Sequence, residues 1–100
     1  MIDLDQMQEG FDLPAVLDMQ AASAVLEKFL AARGADIRIG AADVQRVGGQ
    51  CLQVLLAARA AWESDLNSLV FTDASPEFTA GLEALGASIQ AISYKKELAS

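Results

Sequence analysis

A chain of 100 residues with a 53% apolar fraction forms one domain with a core of its own, and intrinsic disorder is excluded. Fourteen acidic residues against seven basic ones leave a net charge of −7, with the cations scattered between Lys28 and Lys96; the clustered cations that hold a nucleic acid or an anionic membrane surface are missing. Histidine is absent, which removes Ser-His-Asp and Cys-His catalytic arrangements and the usual zinc ligand sets.

Residues 1–9 are polar and irregular and read as a lead-in to the domain. Gly10-Phe11-Asp12-Leu13 alternates apolar and polar until Pro14 stops it, as a short strand does. Ala22, Val25, Leu26, Phe29 and Leu30 then recur at i, i+3, i+4, i+7 and i+8, the inner face of a helix over residues 18–33. Asp18 is its expected N-cap and Gly34 its exit. Asp36-Ile37-Arg38-Ile39 alternates again and predicts a second strand, and residues 40–49 read as a loop.

From residue 50 to about residue 63 the chain is apolar on nearly every side, which predicts a helix buried on more than one face. Leu69-Val70-Phe71-Thr72 is a continuous β-prone run, the pattern of a covered strand. Ser75-Pro76-Glu77 combines an N-cap, a first-turn proline and a first-turn acid. Phe78, Leu82 and Leu85 mark the inner face of the helix it starts, and Gly86 its end. Residues 87–92 read as a last strand, and Tyr94-Lys95-Lys96-Glu97 as a solvated tail within residues 93–100. Alternating strands and helices predict an α/β domain over residues 10–92: a short, mostly parallel or mixed sheet of about four strands with helices on one side. Ile37, Ile39, Leu52, Leu55, Leu56, Phe71, Phe78, Leu82 and Leu85 are its expected core.

Little in the sequence carries chemistry. A single Cys51 forms no internal disulfide, which fits a reducing cytoplasm, and no basic region followed by an apolar run opens the sequence as a signal peptide would. No apolar run is long enough to insert in a membrane. Cys51 lies in the first turn of the apolar helix, where a dipole can activate a thiol, but no cation stands beside it and packing is the simpler role. Asp3, Asp5, Glu9, Asp12 and Asp18 are scattered and read as solvated surface. Gly48-Gly49-Gln50 shares its letters with the tripeptide of translation release factors, yet the acidic chain lacks their basic surface. A turn that opens the N-terminus of the next helix is the plainer reading, and without a Gly-x-x-x-x-Gly-Lys pattern no nucleotide loop is formed. No cofactor, metal or catalytic residue is expected.

Three segments together resemble the STAS domain, the fold of anti-sigma-factor antagonists and of the cytoplasmic ends of sulfate transporters. Ile37 through Val44 is similar to the family's strand and following turn. Val47-Gly48-Gly49-Gln50-Cys51-Leu52-Gln53-Val54-Leu55-Leu56 stands where the family carries Asp-Ser-Ser-Gly-Leu-x-x-Leu-Leu. Phe71 through Phe78, with Leu82, Leu85 and Gly86, is similar to its strand, Ser-Pro helix start and closing glycine. In anti-sigma-factor antagonists a serine or threonine before the central helix is phosphorylated by a partner kinase. Here Gly49 matches that position and has no hydroxyl to modify.

The resemblance thus implies a non-catalytic protein-binding module without the phosphorylation switch, acting through Gly48, Gly49, Gln50 and Gln53. Its expected setting is bacterial signalling in the cytoplasm, by partner switching or in a chemotaxis pathway. The expected partner is a regulatory kinase, an anti-sigma-like protein or a chemotaxis component. The alternative is a structural STAS subunit that clamps the ATPase of a phospholipid-trafficking ABC transporter.

Overall fold

The computed structural model describes residues 8–96. In chain order its elements are β1 (Gln8–Asp12), β2 (Val16–Leu17), α1 (Met19–Ala31), β3 (Ile37–Gly40), β4 (Arg46–Val47), α2 (Gly49–Asp65), β5 (Leu69–Thr72), α3 (Pro76–Ala84) and α4 (Ile89–Ile92). β1, β3 and β5 form a parallel sheet in that order, and β2 and β4 form a separate two-stranded parallel sheet. The α/β class and parallel pairing agree with expectation; the strands are divided between two sheets rather than joined in one.

Period-two burial sets the faces. Ile37, Ile39, Leu69 and Phe71 are buried, whereas Arg38, Gly40, Val70 and Thr72 between them are half-buried. One apolar cluster joins the buried strand residues to Val25 and Phe29 of α1, five residues of α2 from Cys51 to Trp62, Phe78 and Leu82 of α3, and Ile92 of α4. The helices therefore share one side of the sheet. α2 lies centrally, as its all-round apolar sequence requires, and buries Cys51, Leu52, Leu55, Ala58 and Trp62. Phe29 meets Trp62 edge-on at 5.8 Å between ring centroids, and the Trp62 indole N–H donates to the Ala35 carbonyl at 2.8 Å. That bond satisfies the polar atom of a side chain whose exposure is 1%.

Local signals explain where the helices begin. Asp18 accepts from the Ala21 N–H at 3.0 Å, and Ser75 caps α3 by accepting from the Phe78 N–H at 3.0 Å, with Pro76 at the first helical position. At the far ends of α1 and α2, Arg33 and Asp65 form a two-pronged ion pair at 2.8–2.9 Å from Nη2 and 3.1 Å from Nε.

Six expectations about individual segments are corrected. Residues 87–92 form no strand: Ser88 accepts from the Ala91 N–H, and Ile89 and Ile92, three apart, suit one helical turn. Within residues 40–49, Arg46–Val47 is a strand, paired with Val16–Leu17. Leu85 is the C-cap of α3 and 41% exposed, because the helix ends at Ala84 before that side chain turns inward. Leu56 is only half-buried at the margin of the core. Leu26 and Leu30, placed on the inner face of α1, are 42% and 58% exposed. Beyond α4, Tyr94 exchanges backbone hydrogen bonds with Leu69, and Lys96 pairs with Asp36 at 3.2 Å, so residues 94–96 are fastened to the sheet edge rather than free in solvent. Residues 1–7, most of the expected lead-in, lie outside the described residues, as does the last part of the expected tail.

Candidate interaction face at the start of the central helix

The small sheet brings two helix starts together. β2 runs directly into Asp18 and α1, and β4 runs directly into Gly48 and α2. The Gly48 N–H donates to the Leu17 carbonyl at 2.7 Å, and the Cys51 thiol donates to the Asp18 carbonyl at 3.1 Å. These bonds hold the start of α2 against the start of α1. Around them lies a small hollow of about 80 Å³ lined by Val16, Leu17, Asp18, Arg46, Val47 and Gly48.

All four residues singled out from the sequence lie at this corner. Gly48 is the N-cap of α2 and half-buried; Gly49, Gln50 and Gln53 are exposed on its first turns. Gly48 makes no side-chain capping bond, and α2 has no acid in its first turn. Its backbone is extended, at φ −102°, so no left-handed conformation demands glycine. Space favours it: a Cβ there would lie 3.2 Å from the Leu17 carbonyl oxygen, a crowded approach. Gly49 is under neither constraint. An added Cβ would meet nothing within 4 Å, and its φ is not positive. A side chain is absent from an exposed position that has room for one.

Two neighbours were missed in the sequence. Val16 is 37% exposed and Met19 is 70% exposed, so apolar surface borders the glycines. Met19 gave no warning, because it stands three residues before Ala22 and seven before Leu26 and so continues the apolar stripe read for this helix, whose Met19, Leu26 and Leu30 edge the structure leaves exposed. Val16 gave none either, because a two-residue strand leaves no period to read.

The thiol at this corner is a packing residue. Cys51 is fully buried, burial pushes its pKa above the ordinary 9.0, and the nearby Asp18 carboxylate pushes it further in the same direction. Both effects disfavour the thiolate that nucleophilic chemistry needs. At the carboxyl ends of β1, β3 and β5 lies a polar cleft of about 590 Å³, lined by residues including Asp12, Arg38, Thr72 and Asp73, to which the sequence assigned nothing. Among the described residues, no group of three or more Cys, Asp or Glu side chains is placed to hold a metal ion, and no helix is long and apolar enough to cross a membrane.

A small parallel α/β domain with a central helix between its strands has the architecture of a STAS domain. The family model described as Mlab, STAS domain, matches residues 3–92, and the chain belongs to that family. No curated protein and no solved structure matches the chain.

Proposed function

We propose that this STAS domain is a non-catalytic interaction module that docks another protein on the start of α2, through Gly48, Gly49, Gln50 and Gln53. The observation that carries this reading is Gly49, a glycine that neither backbone conformation nor packing requires, at an exposed corner bordered by Val16 and Met19. A partner backbone can approach closely where no Cβ stands in the way. The uncharged side chains of Gln50 and Gln53 can pair with partner polar groups without the desolvation cost of a buried charge. Serine or threonine phosphorylation does not regulate this corner, since neither glycine offers a hydroxyl.

We place the module in bacterial signalling in the cytoplasm, as a partner-switching or chemotaxis component that contacts a regulatory kinase or an anti-sigma-like protein. The family's description as Mlab favours a second setting, a structural subunit clamping the ATPase of a phospholipid-trafficking ABC transporter. Affinity purification of the tagged chain from its native cells separates them. A chemotaxis or histidine-kinase component, retained by wild type and lost with Gly49→Asp, supports the first setting, and an ABC ATPase lost in the same way supports the second. A partner retained equally by both proteins refutes the docking face.

A further inference from the structure

Leu26 and Leu30, one helical turn apart on α1, flank an apolar groove of about 140 Å³ between α1 and α2, floored by Phe29, Val54, Ala57 and Ala61. The leucines stand out at 42% and 58% exposure while the alanines opposite keep the floor low. Along the outer face of α2, Gln50, Gln53, Ala57, Ala60 and Ser64 are exposed, and none is charged. Depletion of charge with retention of large apolar side chains marks the centre of an interface rather than ordinary solvated surface. The groove continues the face described above, since Gln53 and Ala57, four residues apart, share one face of α2 and Ala57 lines the groove.

We propose that this groove receives an amphipathic helix of the docked partner, with apolar residues at i and i+3 or i+4 and Lys or Arg beside them. The inference rests on the proposed docking at the start of α2 and extends the same contact along that helix. Two parallel helices with a low alanine floor leave a trough, and a third helix fits by setting its apolar ridge into that trough. Charge selects a basic flank. Arg33, the cation at the end of the groove, is already engaged by Asp65, whereas Glu27 lies beside the two leucines, exposed and outside any ion pair among the described residues. The whole chain carries −7. A second copy is the poorer occupant: equal negative charges repel, and two half-exposed leucines with a run of alanines supply only a fraction of the roughly 800 Å² per partner that a stable dimer buries.

Site-specific photocrosslinking of the full-length chain in its native cells tests this, with the photoreactive residue at Leu30 in the groove, at Gln53 on α2, or at Glu83 on α3 as a distant control. The expected result is one common partner from Leu30 and Gln53 and none from Glu83. The peptide attached to Leu30 should read as an apolar helical stripe flanked by Lys or Arg. Leu30→Lys should then weaken that partner at least tenfold, and Glu27→Lys severalfold, with melting temperatures close to wild type because both side chains are exposed. Capture from Gln53 without capture from Leu30 overturns the groove inference and leaves the docking face standing. Absence of capture from both positions overturns both proposals. An adduct between two copies of this chain, or an acidic peptide at Leu30, also refutes the proposed occupant.

Discussion

Gly49→Asp separates a stability effect from a binding effect. An aspartate at the first helical position places a carboxylate against the unsatisfied N–H groups of α2, which has no first-turn acid and no capping side chain. The charge–dipole term contributes about 0.3–1 kcal/mol. Replacing glycine removes unfolded-state freedom worth up to about 0.5–1 kcal/mol where the new side chain is unstrained. Strain is absent here, because the Cβ enters open space and φ is not positive. Asp18 opposes part of the gain, since its carboxylate is near enough to act on Cys51. The net expectation is about 1 kcal/mol of added stability, a rise in Tm of roughly 4–8 °C for a domain of this size. Differential scanning calorimetry of Gly49→Asp, Gly49→Ala and Gly49→Lys checks it, and the order Asp above Ala above Lys is required. Lysine as stable as aspartate would refute the dipole argument. Partner affinity should move the other way, falling at least tenfold for Asp because its charge must be desolvated in the interface. A stabilised Gly49→Asp that still binds at wild-type strength would show that docking happens elsewhere.

Leu55 is fully buried at the centre of α2, so Leu55→Ala should lose about 2–5 kcal/mol in urea unfolding; a loss below about 1 kcal/mol would contradict its place in the core. Leu66, the C-cap of α2, holds a left-handed φ of 58° with 66% of its surface exposed. Leu66→Gly should therefore raise stability by about 0.5–1 kcal/mol, and a fall would mean that the leucine makes a contact outweighing its strain. Because burial raises the Cys51 pKa, the unfolded chain loses the thiol proton first as pH rises through 9.0, so this contribution is complete below that pH and is lost above it. Stability measured from pH 8 to 10.5 should thus fall more steeply for wild type than for Cys51→Ala, by up to about 1.4 kcal/mol per pH unit, and parallel curves would refute it.

The fold was legible where a periodic run was long enough to show its period. The all-round apolar sequence of α2 implied a central helix, and the pattern at Leu69–Thr72 gave β5 with its observed ends. Asp18, Ser75 and Pro76 announced helix starts through side-chain chemistry that acts within a few residues. Short elements failed for the converse reason. Val16–Leu17 and Arg46–Val47 are strands only because each finds the other across about thirty residues, a tertiary fact with no local trace. Residues 87–92 look β-prone until Ser88 is recognised as a cap and Ile89 and Ile92 as neighbours on one turn. Leu26 and Leu30 fit the helical period without error, but periodicity says which residues share a face and not how much of that face the rest of the protein covers.

The glycines at the start of α2 could be located in the sequence, but their meaning needed the packing around them. α1, α3 and α4 are each capped by a side-chain oxygen, from Asp18, Ser75 and Ser88; α2 alone among the described helices begins at a residue with no side-chain cap. A missing cap forgoes roughly 1 kcal/mol. The loss is tolerable in α2, which buries five residues in the core and is held through Gly48 and Cys51 to the chain before α1. At Gly48 the close Leu17 carbonyl accounts for the choice, because any Cβ would crowd it. At Gly49 packing accounts for nothing, and a helix former there would be more stable. A position that breaks the local rule without a structural return is where a requirement from outside the folded chain is expected to act. The Gly49 variants measure that requirement directly: whatever stability a side chain adds at this corner, the partner should refuse.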